Sequence, residues 1–369
     1  MMDLPDRRGG PGEDHSVGEA AIVAGGARRH QPWRCRKVEA RLFLWIVLGG
    51  LIGGCVGSGR VERSEPHMGT TFRIVVDAES QDGLDDAIDA AFDRIGELDR
   101  ALSDYRADSE LERLNATAGS GEWVRVSDDL WRVLRSSSEI SDRSDHAFDV
   151  TVGPIVRLWR RAARQRALPK ERRIQAALAK VGSDKLEFDP VRRAVRLPMR
   201  GSRLDLGGIA KGYALDAALQ LLSDRGWNRV LIDGGGDLLL GDPPRGERGW
   251  SVGLILSDDA LPPSEWKPTG TIVVSNLAVA TSGDLSRYVE IDGVRYSHLV
   301  DPDTGLGLID AGVVTVLAPR AMTADAWASA LSVLGPFDGH GRVERERGIE
   351  ARILALESEW RTSGFPALD

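Results

Sequence analysis

Apolar positions along this chain follow two rhythms, and each predicts a different element. Thr71 to Asp77 (TFRIVVD) is a strand-like run rich in β-branched and apolar residues. Leu84, Ile88, Ala91, Ile95, Leu98 and Leu102 then recur at alternating gaps of four and three, the spacing of a helix with one buried stripe. Ser127 to Ser141 reads as a second helix, with Ser127 placed to cap it. The strongly basic run Pro154 to Arg166 reads as a third helix, and such charge runs ordinarily form a solvated face. Leu186 to Leu197 alternates like a hairpin. Ser202 to Leu206 is strand-like, and Gly207-Gly208 then opens a helix whose apolar face is Ala210, Ala214, Ala217, Ala218, Leu221 and Leu222, ended by Gly226. Further strands are expected at Arg229–Asp233, Leu238–Leu240, Trp250–Leu256, Thr271–Val274, Val289–Ile291, Arg295–Leu299 and Val313–Leu317. Ala324 to Leu334 is a last helix, stopped by Gly335-Pro336. Strands and helices alternate irregularly and no internal repeat is visible, so the expected class is α+β rather than a doubly wound parallel sheet.

The N-terminus carries a different pattern. Arg34, Arg36, Lys37 and Arg41 precede an apolar run from Leu42 to Gly50, which continues through Leu51-Ile52-Gly53-Gly54 to Cys55. A basic flank, a short apolar stretch and small residues make a secretory signal. The same run also reads as a single-pass anchor, though it is short for one. Ile52-Gly53-Gly54-Cys55 resembles a bacterial lipobox. By that resemblance residues 1–54 are removed and Cys55 is acylated, with residues 55–66, including the polar stretch Gly57 to Pro66, as a lipidated tether. The segment before Arg34 is long for a signal and is an extended n-region or an upstream start.

Composition adds three constraints. The chain has 369 residues, ordinary globular composition and a net charge of −8, which disfavours a nucleic-acid partner. Its 42 glycines point to tight turns and close backbone approach to a ligand. Its two cysteines are Cys35 and Cys55. With Cys35 removed and Cys55 acylated, no thiol is left for a disulfide, a nucleophile or a metal. Residues 1–54 hold eight basic and six acidic residues, so the processed chain would stand at −10, and the acyl group rather than a basic patch would hold it on a membrane.

Four segments are candidates for chemistry. In Leu204-Asp205-Leu206-Gly207-Gly208-Ile209-Ala210-Lys211-Gly212, two glycines and a first-turn lysine open a helix. Exposed N–H groups, the helix dipole and the Lys211 charge suit an anion. The spacing fits neither a Walker A loop nor a dinucleotide fingerprint, and taken alone it reads first as an ordinary strand–turn–helix with a surface lysine. In Thr323 to Ser329, Asp325 and Ser329 stand four apart on one helix face. A carboxylate and a hydroxyl suit a hard cation such as Mg²⁺, while a helix-start aspartate facing the dipole is the plain alternative. In Tyr296 to Gly305, His298 precedes an Asp-Pro-Asp-Thr-Gly turn. It is a candidate base toward a hydroxyl near phosphates, or a hydrogen-bonded structural histidine. In His146 to Pro154, Phe148 beside Asp149 could face a flat ring system, or fill the core beside a turn.

Taken in order, these segments resemble one family. Met68-Gly69-Thr70, Leu102-Ser103-Asp104-Tyr105-Arg106, Ala147-Phe148-Asp149, Leu204 to Gly212, Ala280-Thr281-Ser282-Gly283-Asp284, Tyr296 to Gly305 and Met322 to Ser329 look like the motifs of the ApbE family, the FAD:protein FMN transferases. The resemblance runs from about Met68 to Gly335. It implies a T-fold-like α+β architecture of two lobes with FAD in the cleft between them, a transferase domain over 67–340 and a C-terminal extension over 341–369. It further implies that Met68, Tyr105, Ala147, Phe148, Asp149, Asp205, Lys211 and Val300, or its neighbour Leu299, contact FAD, Lys211 near the phosphates. Gly208 through its carbonyl, Asp325 and Ser329 would hold Mg²⁺, and His298 would be the catalytic base. The implied reaction moves FMN from FAD to a threonine of an acceptor flavoprotein and releases AMP, at a bacterial cell membrane and facing the periplasm or exterior. FAD hydrolysis to FMN and AMP, and non-catalytic flavin carriage, remain open readings. Two departures stand out: Ser329 replaces a frequent threonine, and Ala328 stands where members often carry a second aspartate. The chain has no acceptor-type Ser/Asp-Gly-Ala-Thr segment of its own, so the acceptor acts in trans.

Overall fold

The computed structural model describes residues 59–255, 268–283, 288–309, 312–355 and 358–369. Cys55, the apolar run before it and Asp284 lie outside the described residues. Among the described residues no helix is long and apolar enough to cross a membrane.

Strand β1 (Arg60–His67) turns at Met68-Gly69 into β2 (Thr70–Asp77). Arg60 to Pro66, expected within a tether, therefore lie in an edge strand. Its polar sequence conceals an exposed/half-buried alternation that suits the sheet edge. Helix α1 (Leu84–Leu102) buries the stripe its spacing predicts. The short α2 (Glu110–Ala116) and β3 (Val124–Arg125) lead to α3 (Asp128–Arg143), whose N-cap Ser127 accepts from Leu130 N–H at 3.2 Å. Helices α4 (Gly153–Gln165) and α5 (Glu171–Leu178) form a pair, and β4 (Glu187–Asp189) with β5 (Ala194–Arg196) forms the expected hairpin.

Ser202–Leu206 is not a strand. Only Arg203 makes an isolated bridge, to Val152. The Asn115 side chain meets both backbone groups of Leu204, accepting from its N–H at 2.7 Å and donating to its carbonyl at 3.1 Å. A side chain has taken the place of a neighbouring strand. Helix α6 (Ala210–Asp224) follows a turn at Gly207–Ile209 and stops at Gly226, φ 88°. Then come β6 (Val230–Asp233), β7 (Leu238–Leu240), β8 (Trp250–Ile255), β9 (Pro268–Val274), β10 (Leu277–Gly283), the hairpin β11 (Tyr288–Ile291) and β12 (Val294–Ser297), and β13 (Val313–Ala318). Helix α7 (Ala321–Val343) breaks at Gly335, φ 66° and ψ −177°, where Gly-Pro was expected to end it, and resumes beyond. Strands β14 (Glu350–Ala355) and β15 (Ser358–Arg361) complete the chain.

One eight-stranded sheet organises these elements in the order β1-β2-β6-β7-β10-β13-β14-β15, antiparallel throughout. The last two strands come from the segment expected as a C-terminal extension, so that segment belongs to the central sheet. Strand periodicity assigns the two faces. Ile74, Val76, Val230, Ile232, Ala278 and Ala280 pack against α1, α6 and α7. The alternate residues Val75, Leu231 and Val279 pack against Trp250, Val252, Leu254 and Ile272 of the β8–β9 ribbon. With both faces covered, the central strands read as continuous apolar runs. A smaller core joins α4 and α5 to the β11–β12 hairpin through Ile155, Trp159, Ala177, Tyr296 and Val300.

Candidate functional site

Glycine brings α6 against α7. A Cβ on Gly212 would collide with the carbonyl of Ala321, so only glycine permits this approach. Asp216 fixes the same junction from the next turn of α6. Its carboxylate accepts from the N–H groups of Ala321 (2.8 Å) and Met322 (3.2 Å), answering the open N-terminus of α7. Buried Asp325 is one turn further along, and it accepts from Gly212 N–H at 3.1 Å.

Lys211 completes the corner. Its ammonium pairs with Asp237 and lies 4.0 Å from Asp325. Asp237 follows the Gly234-Gly235-Gly236 turn, whose last two residues have φ of 82° and 107° and so carry the chain into β7 with the carboxylate turned inward. Two buried carboxylates thus share one lysine. Burial first, and then the charge of Asp237, pushes Asp325 up to about 7, against the pull of Lys211 and the Gly212 N–H. Ser329 stands beside this pair, with Oγ 2.9 Å from the point a Cβ on Gly208 would occupy; the Phe148 ring edge is 3.3 Å from the same point.

A second charged knot adjoins the first. Arg160 of α4 binds Asp104 and, at 3.0 Å, Asp205, while its guanidinium stacks 4.3 Å from the centre of the Tyr105 ring. Asp205 also accepts from Gly207 N–H at 2.9 Å. Burial, and next the nearby Asp104, raises Asp205 to about 6, with Arg160 opposing. Tyr105 is 80% exposed. Asp149 is buried and folds onto Thr151, accepting from its N–H (2.7 Å) and hydroxyl (2.6 Å). Asp145 and His146 before it have φ of 56° and 64°, a left-handed turn that sends Phe148 inward. Met68, at φ 49°, donates its N–H to Asp99 at 3.0 Å.

The His298 segment is anchored from α4. Trp159 Nε1 donates to the Gly305 carbonyl at 2.9 Å, and Asp301 N–H donates to the Leu306 carbonyl at 2.9 Å. Val300 is buried in this small core and His298 is exposed.

Comparisons with known proteins give this geometry its context. The model of the ApbE family matches residues 68–353. The chain belongs to the ApbE family. The FAD:protein FMN transferase of Escherichia coli K12 is 32% identical over 79% of this chain and 83% of its own, and that of Vibrio cholerae is 33% identical over 85% and 95%. Among solved structures, the ApbE protein of Thermotoga maritima superposes with a TM-score of 0.74 at 30% identity, covering 83% of this chain and 98% of its own. The α+β architecture is that of the family's solved members.

Contacts tie Tyr105 and Asp205 together through Arg160, set Phe148 and Ser329 around Gly208, and bring Lys211 to Asp325. Met68 belongs to the β1–β2 turn, and Val300 and His298 to the segment held by α4. Sequence reading missed Arg160, Asp104 and Asp237 as site residues. A buried aspartate placed straight after a triple-glycine turn is a signal that could have found Asp237. Arg160 stood inside a basic run, where nothing distinguished it from its solvated neighbours.

The corner fits a divalent cation. Among the described residues no cluster of three His, Cys, Asp or Glu side chains has ligand geometry. The donors the structure brings there are two buried carboxylates and the Ser329 hydroxyl, hard oxygens of the kind Mg²⁺ selects. Burial and the neighbouring Asp237 raise the Asp325 carboxyl despite Lys211, a strain that a bound cation would ease.

Proposed function

We propose that this chain is an FAD:protein FMN transferase that uses Mg²⁺ and a threonine acceptor. Its relatives carry that activity in their names, and one observation in this chain supports it most. A buried corner of two carboxylates and one lysine, with Ser329 and Phe148 beside the glycine backbone, offers the charges a pyrophosphate and its cation need. FAD would extend from Tyr105 past Asp205 to Lys211, in a cleft between two lobes, with Met68, Ala147, Phe148, Asp149 and Val300 around it.

The acceptor hydroxyl would attack the FMN phosphorus as the bond to the AMP oxygen breaks. His298, exposed where an incoming chain can reach it, would take the hydroxyl proton. Lys211 would hold negative charge on the phosphates and on departing AMP. Mg²⁺ held by Asp325, Ser329 and the Gly208 carbonyl would offset further charge on the pyrophosphate. Asp237 keeps Lys211 in place. Cys55, if acylated, would tether the enzyme to a bacterial cell membrane on its periplasmic or outer side, within reach of membrane redox subunits.

Mass spectrometry of an acceptor domain incubated with the chain, FAD and Mg²⁺ tests this. A gain of one FMN that EDTA prevents is expected. Free FMN and AMP without a modified acceptor would replace transfer by hydrolysis, and unchanged FAD would leave only flavin carriage.

A further inference from the structure

Positive charge is concentrated in one stretch of this chain. Arg60, Arg63, Arg94, Arg106, Arg143, Arg193, Arg196 and Arg342 each have a carboxylate partner. Between Gly153 and Lys180 the pattern inverts, with nine Arg and Lys against one Glu. That segment carries +8 in a chain of −8, so the remainder carries −16. Arg157, Arg161, Arg164, Arg166, Lys170, Arg172 and Arg173 are all exposed, and none pairs with a carboxylate among the described residues.

This cationic face lies against the site. Arg157, Arg161 and Arg164 stand at i, i+4 and i+7 on α4, and so form one row. The same helix supplies Trp159, which holds the Gly305 carbonyl, and Arg160, which holds Asp205 and Tyr105. On α5, Ile174 and Leu178 pack where a Cβ on Gly305 would stand. Exposed Leu306 and Ile309 continue the surface beyond Gly305. A cluster of unpaired like charges raises the energy of the folded protein, and a surface of this kind is explained when a counter-charge arrives from outside.

We infer that the α4–α5 face docks the acceptor protein through an acidic surface of that protein, orienting its hydroxyl toward His298. The inference rests on the transferase reading above. The rest of the chain sums to −16, so the most concentrated attraction for an acidic partner lies at this face, and charge then favours orientation as well as encounter rate. An anionic lipid surface and FAD itself are the other polyanions present, and kinetics separates the three.

The test uses the full chain and a recombinant flavoprotein domain carrying an Asp-Gly-Ala-Thr segment and a net acidic charge. The triple variant Arg157→Glu, Arg161→Glu, Arg164→Glu is compared with wild type at saturating FAD. The acceptor KM is expected to rise about tenfold or more and to lose most of its salt dependence, with kcat and the FAD KM unchanged. Changing the acceptor's surface Asp and Glu to Asn and Gln should raise the wild-type KM similarly. The double variant Arg172→Glu, Arg173→Glu on α5 repeats the test should the α4 variant fail to fold. An unchanged acceptor KM overturns the inference. So does a rise confined to the FAD KM, or loss of binding to vesicles containing anionic phospholipid with the acceptor KM intact. Acceptor binding is also titrated without FAD. If wild type transfers no FMN, the transferase reading fails, and this titration alone still decides the docking face.

Discussion

Around Lys211 the polar groups are buried and tied to one another, whereas around Tyr105 and His298 the same chain leaves side chains in solvent. The buried corner is over-determined, since Gly212, Asp216 and the triple-glycine turn each fix one of its walls. The open end is held from behind by Arg160 and Trp159 of α4. A corner that must place a small, highly charged group gains from rigidity. An end that must admit another protein's side chain cannot be closed. The contrast separates what binds from what receives, and each end can be perturbed without the other.

The largest effect is expected at Asp325, where Asp325→Ala should abolish Mg²⁺-dependent FMN transfer. Retained turnover in that variant would remove Asp325 from the metal site. Asp325→Asn sharpens the point, because it keeps an acceptor for Gly212 N–H while removing the charge. The folded carboxyl sits at about 7, above the 3.8 of an unperturbed aspartate, so it binds its proton more tightly folded than unfolded. Its contribution to stability is therefore fully present below about pH 4 and is lost as pH rises through about 7. Metal-free wild type should melt lower at pH 8 than at pH 5, Mg²⁺ should restore more at pH 8, and Asp325→Asn should flatten both trends. Melting curves that are the same for the two proteins at pH 8 would show that Asp325 carries no such strain.

At the open end, His298→Ala should lower transfer by about 10²–10⁴-fold, the usual contribution of a positioned base, with FAD binding intact. Equal loss of flavin binding would assign His298 a structural role instead.

Gly208→Ala tests where the corner begins. The added methyl would meet Ser329 Oγ at 2.9 Å and Phe148 at 3.3 Å. Ser329 can turn its hydroxyl away, so the fold should survive while the Mg²⁺ concentration for half-maximal activity rises about tenfold, the loss of roughly one favourable ligand. Pairing it with Ser329→Ala should add little, because both remove the same oxygen. Full additivity would place Ser329 elsewhere.

The same contrast explains what the sequence revealed. Helix α1, the Ser127 cap, the break of α7 at Gly335 and most strands follow from local periodicity and turn chemistry. So did Asp325 with Ser329, which one helix face brings together. Missed features depend on distant partners. Ser202–Leu206 has a strand's composition, but Asn115, far away in sequence, occupies the backbone of Leu204. The β1 edge was hidden because an edge strand exposes alternate polar residues and resembles a linker. Asp237 and Arg160 became site residues only when folding set them beside Lys211 and Asp205.

The smallest effect is expected from Arg160, which joins Asp205 to the open end. Its guanidinium lies between Asp104 and Asp205 and against Tyr105, a forked arrangement that an ammonium cannot copy. Arg160→Lys should raise the FAD KM a few-fold and leave kcat unchanged, since the residue positions flavin contacts and touches no reacting atom. Arg160→Met should do more, in a way that depends on pH. Asp205 sits at about 6 because burial and Asp104 raise it while Arg160 holds it down. Without that cation its carboxyl must climb further, so the acid limb of kcat/KM for FAD should move to higher pH in Arg160→Met and less in Arg160→Lys. A limb that stays in place in both variants would show that FAD binding does not depend on the charge of Asp205. At this residue, the open end would then rest on the stacking of Arg160 against Tyr105 and not on its ion pair with Asp205.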